Sequence, residues 1–237
     1  MKRQWIICGA TSVIAEEFAK IAAQAGHDLL LVGKDEPQLQ IIACDLQLRY
    51  SITCQVMVQN FCNNLENLIK HIKHSTQELD IFLAHSLTLN NNNLTATSMQ
   101  SLINVNITST CQLIYTYLNR QQNEYHLLFL SSVAAARGRA KNSLYGASKK
   151  AVEVYLEGLQ QANPQQGISI ARLGFIDTKT TYGEAGIFYA SPPHHCAMAC
   201  WRAAMRKKRL IYHPSFWRLI MAVIQCLPFY MYQKFRF

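Results

Sequence analysis

The chain has 237 residues, of which 50% are hydrophobic and 16% are charged. This length and composition predict one large domain with an extensive core and exclude an intrinsically disordered chain. The formal net charge of +9 indicates an anionic partner, such as a nucleotide, a phosphorylated small molecule or an acidic membrane surface.

Two further features of the composition indicate the kind of partner and the cellular compartment. No basic patch with interleaved aromatic residues is present in the sequence, so we expect no nucleic-acid partner. The eight cysteines include no C-x-x-C pair, which is typical of reduced thiols in a cytoplasmic protein.

The first predicted elements are a buried strand at residues 5–8, a turn of small residues and a helix at residues 13–25. The pyrophosphate of a dinucleotide binds at such a helix N-terminus, where backbone N–H groups and the helix dipole favour negative charge. A plain strand-to-helix turn is the alternative. The expected cofactor contacts come from Gly9, Thr11, Ser12, Val13 and Ile14.

The second predicted strand, residues 28–32, leads into Gly33 and Lys34. In α/β dinucleotide sites the adenosine ribose lies at the end of this strand, where a basic side chain suits the 2′-phosphate of NADP(H). Lys34 therefore favours NADP(H), although Asp35 directly after it keeps NAD(H) open. A solvated surface charge is the alternative for Lys34.

Helices are expected at residues 37–49, 63–75 and 97–118, and strands at 52–58 and 80–84. Asn106 lies in the middle of the third of these helices, where a buried amide is costly unless it is hydrogen-bonded. His71 and His74 could bind a metal, but a third ligand is lacking nearby. The sequence His194-His195-Cys196 follows two prolines at a predicted helix start, which favours capping or packing, so we expect no metal.

The sequence from residue 125 to residue 161 carries the chemistry. An apolar strand runs through residues 125–130 to Ser131 and Ser132, and a helical pattern follows over residues 144–161. Tyr145 and Lys149 are four residues apart and share one helix face. We expect the ammonium to lower the pKa of Tyr145, and Ser132 to hydrogen-bond the oxygen that Tyr145 protonates. This arrangement predicts proton transfer to a carbonyl oxygen.

Ser132 and the sequence Tyr145-Gly-Ala-Ser-Lys149 resemble the Ser and Tyr-x-x-x-Lys signature of the short-chain dehydrogenase/reductase family. The resemblance extends to about Tyr212. It implies an α/β fold, with a Rossmann-type doubly wound parallel sheet of about seven strands in a three-layer sandwich. It also implies NAD(P)H-dependent reduction of a carbonyl to an alcohol, in which Lys149 additionally holds the nicotinamide ribose and Asn106 supports the proton relay. Tyr145 also contacts the cofactor in such a site.

The same resemblance implies further cofactor contacts. The adenine would meet main-chain groups at the end of the third strand and at the end of the fourth, where His85 replaces a residue of the family's Asn-Ala-Gly. A loop after a sixth strand at residues 168–173 resembles Pro-Gly-x-x-x-Thr and would contact the nicotinamide carboxamide and the phosphates. The residues concerned are Val58, Gln59, Ala84, His85, Gly174, Ile176 and Thr178. Because Val13 replaces a family glycine and Gln59 stands where an Asp is usual, a non-catalytic dinucleotide-binding scaffold is an alternative.

The catalytic domain is expected over residues 1–215, with a substrate lid at 179–192, a helix to Arg206, a strand at 210–212 and an extension at 216–237. In the extension the apolar residues Trp217, Ile220, Ile224 and Leu227 recur at helical spacing, and Arg218, Lys234 and Arg236 flank them. This pattern predicts a helix lying on the inner face of the membrane, with its aromatic residues towards the lipid. The alternative is that this helix packs in the core of the domain or in a subunit interface. We also expect the protein to form a homo-oligomer.

Three segments together resemble the subgroup of polyprenyl-phosphoryl 2-keto-pentose reductases. They are Gly-Ala-Thr-Ser-x-Ile-Ala, Ser-Ser-Val-Ala-x-x-Arg-Gly-Arg and the Phe-Trp-Arg start of the tail. A lipid-linked keto-sugar substrate would explain both the basic charge and the apolar tail. A free hydrophobic ketone or a 3-keto lipid is the alternative small-molecule substrate.

Overall fold

The computed structural model describes residues 3–178 and 189–234. Within them, seven strands form one sheet in the order β3-β2-β1-β4-β5-β6-β7. Every neighbouring pair is parallel, as the sequence predicts. The strands are β1 (Gln4–Cys8), β2 (Asp28–Gly33), β3 (Cys54–Val58), β4 (Leu79–Leu83), β5 (His126–Ser132), β6 (Gly167–Leu173) and β7 (Leu210–His213).

Helices cover both faces of the sheet and complete the expected three-layer sandwich. They are α1 (Val13–Gln24), α2 (Glu36–Tyr50), α3 (Glu66–His74), α4 (Ala96–Ile103), α5 (Thr110–Leu118), α6 (Ser143–Ala162), α7 (Pro193–Met205), α8 (Trp217–Cys226) and α9 (Phe229–Tyr232). Alternate residues of β1 serve opposite cores, because side chains of a strand point to opposite faces. Trp5 packs with the helices α1, α2 and α7, whereas Ile6 packs with α3, α5 and α6.

The prediction of a single helix over residues 97–118 is wrong in one respect. A π-helical segment, Asn104–Ser109, separates α4 from α5. The hydroxyls of Ser109 and Thr110 both donate to the carbonyl of Val105, at 2.6 and 3.4 Å, and so satisfy an acceptor within the irregular turn. Such π-helical turns often occur at functional sites, and this one contains Asn106.

The strand order reverses at β1, which lies between β2 and β4. In doubly wound sheets the ligand-binding crevice lies outside the carboxyl ends of the strands at such a point. The sheet therefore brings to one edge several segments that are far apart in the chain, namely the loops that follow β1, β4, β5 and β6.

Helix α8 packs on this edge, and the predicted membrane-facing side of the tail is wrong. Trp217 is buried with Met221 and Val133, and Ile220 and Ile224 pack against the same cluster. A Cβ atom on Gly174 would lie 1.9 Å from Nε1 of Trp217, so this glycine is required by the close approach of the tail. Arg236 lies outside the described residues.

The apolar residues that remain exposed in the tail are a different set from the one that the sequence pattern singled out. Leu219 is 73% exposed and Phe229 is 71% exposed, and the other members are Phe216, Val223, Tyr230 and Met231. None of the helices within residues 3–178 and 189–234 has both the length and the hydropathy needed to cross a bilayer.

Candidate active site

A cleft of about 410 Å³ opens at the carboxyl ends of the strands. Its walls come from the turn before α1, the segment after β4, the end of β5, the start of α6 and the loop after β6. Of the predicted residues, it brings together Thr11, Ser12, Val13, Ile14, Ala84, Ser132, Tyr145, Lys149, Gly174, Ile176 and Thr178. Residues 179–188 of the predicted lid lie outside the described residues, whereas Ser191 forms a bridge with Ile176.

The turn before α1 has the geometry of an anion-binding helix N-terminus. Gly9 has a φ of 81°, and a Cβ atom there would lie 2.7 Å from the backbone nitrogen of His85. A glycine is needed both for the left-handed conformation and for the close approach of the chain after β4. Ser12 caps the helix by accepting a hydrogen bond from Ala15 N at 3.3 Å. These features fit the pyrophosphate of a dinucleotide despite the loss of the two later glycines.

Tyr145 lies in the first turn of α6, and tight packing fixes that turn beside the end of β5. A Cβ atom on Gly146 would lie 2.5 Å from the carbonyl oxygen of Ala134, so the helix can approach only with glycine there. The Oγ of Ser132 accepts a hydrogen bond from Ala134 N at 3.1 Å, which orients the hydroxyl at the end of β5. Sequence reasoning missed Gly146, because nothing local distinguishes it from a helical glycine without contacts.

The environment of the Tyr145 hydroxyl differs from the expected one. Burial raises the pKa of Tyr145, although hydrogen-bond interactions with Ser132, Thr88 and Ser86 lower it in part. The pKa of Tyr145 is therefore raised and not lowered as expected, because the effect of burial outweighs these interactions. Sequence reasoning also missed Ser86 and Thr88, whose signal was their place directly after β4, at the edge where the strands end.

Lys149 is buried behind Tyr145. Its Nζ donates to the carbonyl of Leu130 at 2.8 Å and lies 5.9 Å from the centre of the Tyr145 ring. Burial lowers the pKa of Lys149 to about 7, and the charge of Glu153 opposes this shift. At neutral pH the side chain is therefore close to its midpoint of protonation.

Glu153 is the centre of a buried ionic network beneath the site. Its carboxylate accepts hydrogen bonds from Ser131 Oγ at 2.6 Å and from Arg172 Nε and Nη2 at 2.8 and 2.7 Å. Because Ser131 and Arg172 belong to neighbouring strands and Glu153 to α6, this network joins β5, β6 and α6 immediately below Ser132 and Lys149. It thereby fixes the positions of both functional groups.

Asn106 forms the polar network expected of a buried amide. Its Oδ1 accepts a hydrogen bond from Leu87 N at 2.7 Å, and its Nδ2 donates to Leu87 O at 2.9 Å and to Ser148 Oγ at 3.0 Å. Ser148 is the neighbour of Lys149 on α6. The amide thus connects the segment after β4 to the functional face of α6, and a role in a proton relay remains a prediction.

His85 does not line the cleft as predicted. Its ring is buried, stacks on Phe61 with centroids 3.9 Å apart, and shares hydrogen bonds through Nε2 with Ser109 at 3.2 Å and Thr110 at 3.1 Å. Burial lowers the pKa of His85 to about 3, so the ring is neutral. The side chain supports the π-helical turn instead, and only its main chain adjoins Gly9.

Three more predicted cofactor residues lie outside the walls of the cleft. Lys34 is exposed after β2, Val58 is exposed at the end of β3, and Gln59 is buried. The Gln59 amide donates to the carbonyls of Asn60 and Asn64, at 2.8 and 3.1 Å, so the side chain holds its own loop. Contacts of main-chain groups and Lys34 with the adenosine end of a dinucleotide therefore remain a prediction.

The fold, the glycine turn and the Ser-Tyr-Lys set together define a dinucleotide-dependent oxidoreductase site. A family model described as short chain dehydrogenase matches residues 3–184, and the chain belongs to this family. Within the described residues, no cluster of three or more His, Cys, Asp or Glu side chains has the arrangement of a metal site.

The chain is similar to several known proteins. An uncharacterized oxidoreductase of Staphylococcus epidermidis is 26% identical over 186 residues, which covers 75% of this chain and 80% of that one. A short-chain dehydrogenase from Sphingobium yanoikuyae in complex with NADPH has a TM-score of 0.79 at 19% identity, with 94% of each chain covered. A bulky-bulky ketone specific alcohol dehydrogenase from Comamonas testosteroni has a TM-score of 0.81 at 18% identity, with 94% of this chain and 92% of that one covered.

Proposed function

We propose that this chain reduces a ketone to a secondary alcohol with NADPH. The observation that carries the proposal is the convergence of Tyr145, Ser132 and Lys149 in one cleft that also contains the N-terminus of α1. Two similar structures are named for NADPH binding and for action on ketones, which supports the same reaction class.

The residues that would hold the dinucleotide lie at two ends of the cleft. The turn from Gly9 to Ile14 presents N–H groups and hydroxyls for the pyrophosphate, and Gly174, Ile176 and Thr178 border the nicotinamide end. When bound there, the nicotinamide supplies a hydride to the carbonyl carbon of the substrate.

Tyr145 donates its proton to the carbonyl oxygen, and Ser132 hydrogen-bonds that oxygen and orients it. A phenol with a raised pKa is protonated before the reaction, which suits a proton donor. Lys149 borders the same cleft and would hold the nicotinamide ribose, as the family resemblance implies, and Asn106 holds the adjoining segments in place.

NADPH is preferred over NADH in this proposal, because the cation of Lys34 follows β2, where the adenosine ribose lies. The competing carboxylate of Asp35 is already engaged, since its Oδ1 accepts a hydrogen bond from Gln38 N at 3.1 Å and caps α2. Titration of the protein with each dinucleotide tests this. We expect tighter binding of NADPH and a reversed or flattened preference in Lys34→Asp, and equal affinities in the parent would remove the basis for the proposal.

The reaction itself is tested by isotope transfer. NADPH that carries deuterium at both hydrogen positions of the nicotinamide C4 is mixed with the protein and a bulky ketone, and the product is analysed by mass spectrometry and NMR. We expect one deuterium on the carbinol carbon. Oxidation of NADPH without alcohol formation, or an alcohol without deuterium, would contradict the assignment of a carbonyl reductase.

We further propose that the substrate is linked to a lipid, as in the subgroup that the sequence resembles, and that the tail contacts an anionic membrane surface. Residues 189–237 contain eight of the 23 lysines and arginines and none of the 14 acidic residues. Basic residues near an anionic surface contribute roughly 1 kcal/mol each, and exposed apolar side chains of α8 and α9 add burial in the headgroup region. Because α8 packs on the loop after β6, this surface lies close to the cleft.

Vesicle flotation tests the membrane contact. The double variant Leu219→Glu and Val223→Glu should lose binding to anionic vesicles, whereas Leu48→Glu, an exposed leucine on α2, should retain it. Binding should weaken with salt because the contact is partly electrostatic. A parent protein that stays free of anionic vesicles at low salt would refute the contact and leave a free hydrophobic ketone or 3-keto lipid as the substrate.

A further inference from the structure

A second cavity, of about 460 Å³, lies between α7 and β7. We call it the basic groove. Its α7 wall is one helix face, which carries residues 195, 199, 202, 203 and 206, and its other described walls are residues 189, 191, 208 and 211–215. None of these described residues also lines the catalytic cleft, so the groove is a separate site.

Three cationic side chains line the basic groove. Arg202 lies in the last turn of α7, Arg206 follows at its C-cap, and Lys208 is two residues further on. The carbonyls of residues 202–204 accept hydrogen bonds from the backbone N–H groups of residues 206–208, so the backbone closes this helix end without the three side chains. Like charges four residues apart on a helix repel each other. An anion bound in the groove would relieve this repulsion.

Hydrogen-bonding groups line the groove beside these cations. Ser191 is 1% exposed, and its Oγ shares a hydrogen bond with Nε2 of His213 at 2.9 Å. A hydroxyl can donate and accept at the same time, so Ser191 retains the capacity to contact a ligand oxygen. His195 and Ser215 line the same groove. Cations and hydroxyls together match both the charge and the acceptor oxygens of a phosphate group.

The basic groove adjoins the exposed apolar surface of the tail. Tyr189 and Ser215 line the groove, and the ring of Tyr189 contacts that of Phe216, with centroids 6.0 Å apart. Phe216 is 38% exposed and directly precedes α8, whose Leu219 is 73% exposed. This arrangement fits an amphiphile, because its phosphate would enter the groove while its apolar chains lie along the tail.

We infer that the basic groove binds a phosphomonoester, either the headgroup of a membrane lipid or a soluble phosphate ester. A phosphomonoester carries roughly 1.5 to 2 negative charges at pH 7, whereas a diester carries one, so three cations favour the monoester. The lipid source rests on the membrane contact proposed above. The phosphate chemistry rests on the residues of the groove alone.

Vesicle binding tests the lipid source. Phosphatidic acid presents a phosphomonoester and phosphatidylglycerol a diester, and each is mixed with phosphatidylcholine to give vesicles of equal zeta potential. A charge-assisted hydrogen bond corresponds to roughly ten- to hundredfold in affinity. We therefore expect the protein to bind the phosphatidic acid vesicles at least about tenfold more tightly. The double variant Arg202→Gln and Arg206→Gln should lose this preference.

Arg209→Gln is the matched control for charge. Arg209 belongs to the same basic segment and is exposed, but it is not among the described residues that line the groove. Its substitution should leave the preference for phosphatidic acid unchanged. Both arginines of the double variant are exposed, so its melting temperature should stay close to that of the parent.

Calorimetry tests the soluble source in the NADP⁺-loaded protein, in which the dinucleotide occupies the catalytic cleft. Glycerol 3-phosphate is the monoester and dimethyl phosphate the diester. Binding of glycerol 3-phosphate that weakens about tenfold or more in the double variant, without a vesicle preference, identifies a soluble ester. A vesicle preference without such binding identifies a lipid headgroup. Either result supports the inference.

Three results would overturn it. The first is a parent that prefers the monoester in neither experiment, and the second is an equal loss in the double variant and in Arg209→Gln, which would indicate general attraction to a basic surface. The third concerns Glu184, which lies outside the described residues: monoester binding in Glu184→Gln but not in the parent would assign the groove to this carboxylate. Neither experiment measures turnover, so each result is independent of whether the protein reduces ketones.

Discussion

Substitution of Trp217 by alanine tests whether the C-terminal helices are part of the folded domain. The side chain is 7% exposed and packs edge-on against Phe175, with ring centroids 5.6 Å apart. It also fills the space next to Gly174 that a Cβ atom would occupy. Its removal would leave a cavity between α8 and the loop that borders the nicotinamide end of the cleft.

The expected cost follows from this burial. Replacement of a buried tryptophan by alanine typically costs roughly 3–5 kcal/mol in the free energy of unfolding. In a chain of this length 1 kcal/mol corresponds to about 2–4 °C in the melting temperature. We therefore expect Trp217→Ala to lower the melting temperature by roughly 6–20 °C and to weaken NADPH binding, because the Gly174 loop loses its support.

Thermal and urea unfolding measure this effect, and the same helix provides the control. Leu219 is 73% exposed, so Leu219→Ala should change the free energy of unfolding by less than about 0.5 kcal/mol. A loss below about 1 kcal/mol in Trp217→Ala, or an equal loss in both variants, would refute the packing of α8 on the domain.

Three other substitutions test the site and its support. Gly9→Ala should destabilise the protein by more than about 1 kcal/mol, because an alanine is strained at a φ of 81°. Gly158→Ala is the control and should stabilise the protein, because a Cβ atom at this position of α6 would have no atom within 4 Å. Similar effects at both positions would contradict the backbone strain at Gly9. Glu153→Gln should cost roughly 3–5 kcal/mol in urea unfolding, since Arg172 loses its buried partner, and a loss under about 1 kcal/mol would disprove the importance of the pair. The pKa of Lys149 falls from 10.5 in the unfolded chain to about 7, so between these two pH values unfolding takes up a proton and the parent gains stability relative to Lys149→Met as the pH rises. A stability difference that is constant over this pH range would contradict the burial of a charged lysine.

The parallel sheet could be predicted from the sequence, because a buried strand of such a sheet is a short continuous run of apolar residues. The residues of β1 and β5 are examples, and Gly9 and Ser132 follow or end these runs directly. The Tyr145 and Lys149 pair was predictable for a similar reason, since a spacing of four residues defines one helix face. These features depend on neighbours in the chain.

Features that depend on distant residues were not predictable. The tail is apolar on both faces, so periodicity could not show that Trp217 meets Gly174 while Leu219 faces outwards. The pKa of Tyr145 depends on burial and on Ser86 and Thr88, which are more than 50 residues away in the sequence. The ring of His85 is held by Phe61 and by the π-helical turn, contacts that no local pattern indicates.

Turnover and NADPH affinity of Tyr145→Phe test the central claim most directly. General acid catalysis contributes roughly 10²–10⁴-fold to a rate. We expect the variant to lose at least about a hundredfold in ketone reduction while its dissociation constant for NADPH changes less than about threefold, because the turn from Gly9 to Ile14 and the loop after β6 remain intact. Parent-like turnover in Tyr145→Phe would contradict the assignment of Tyr145 as the proton donor.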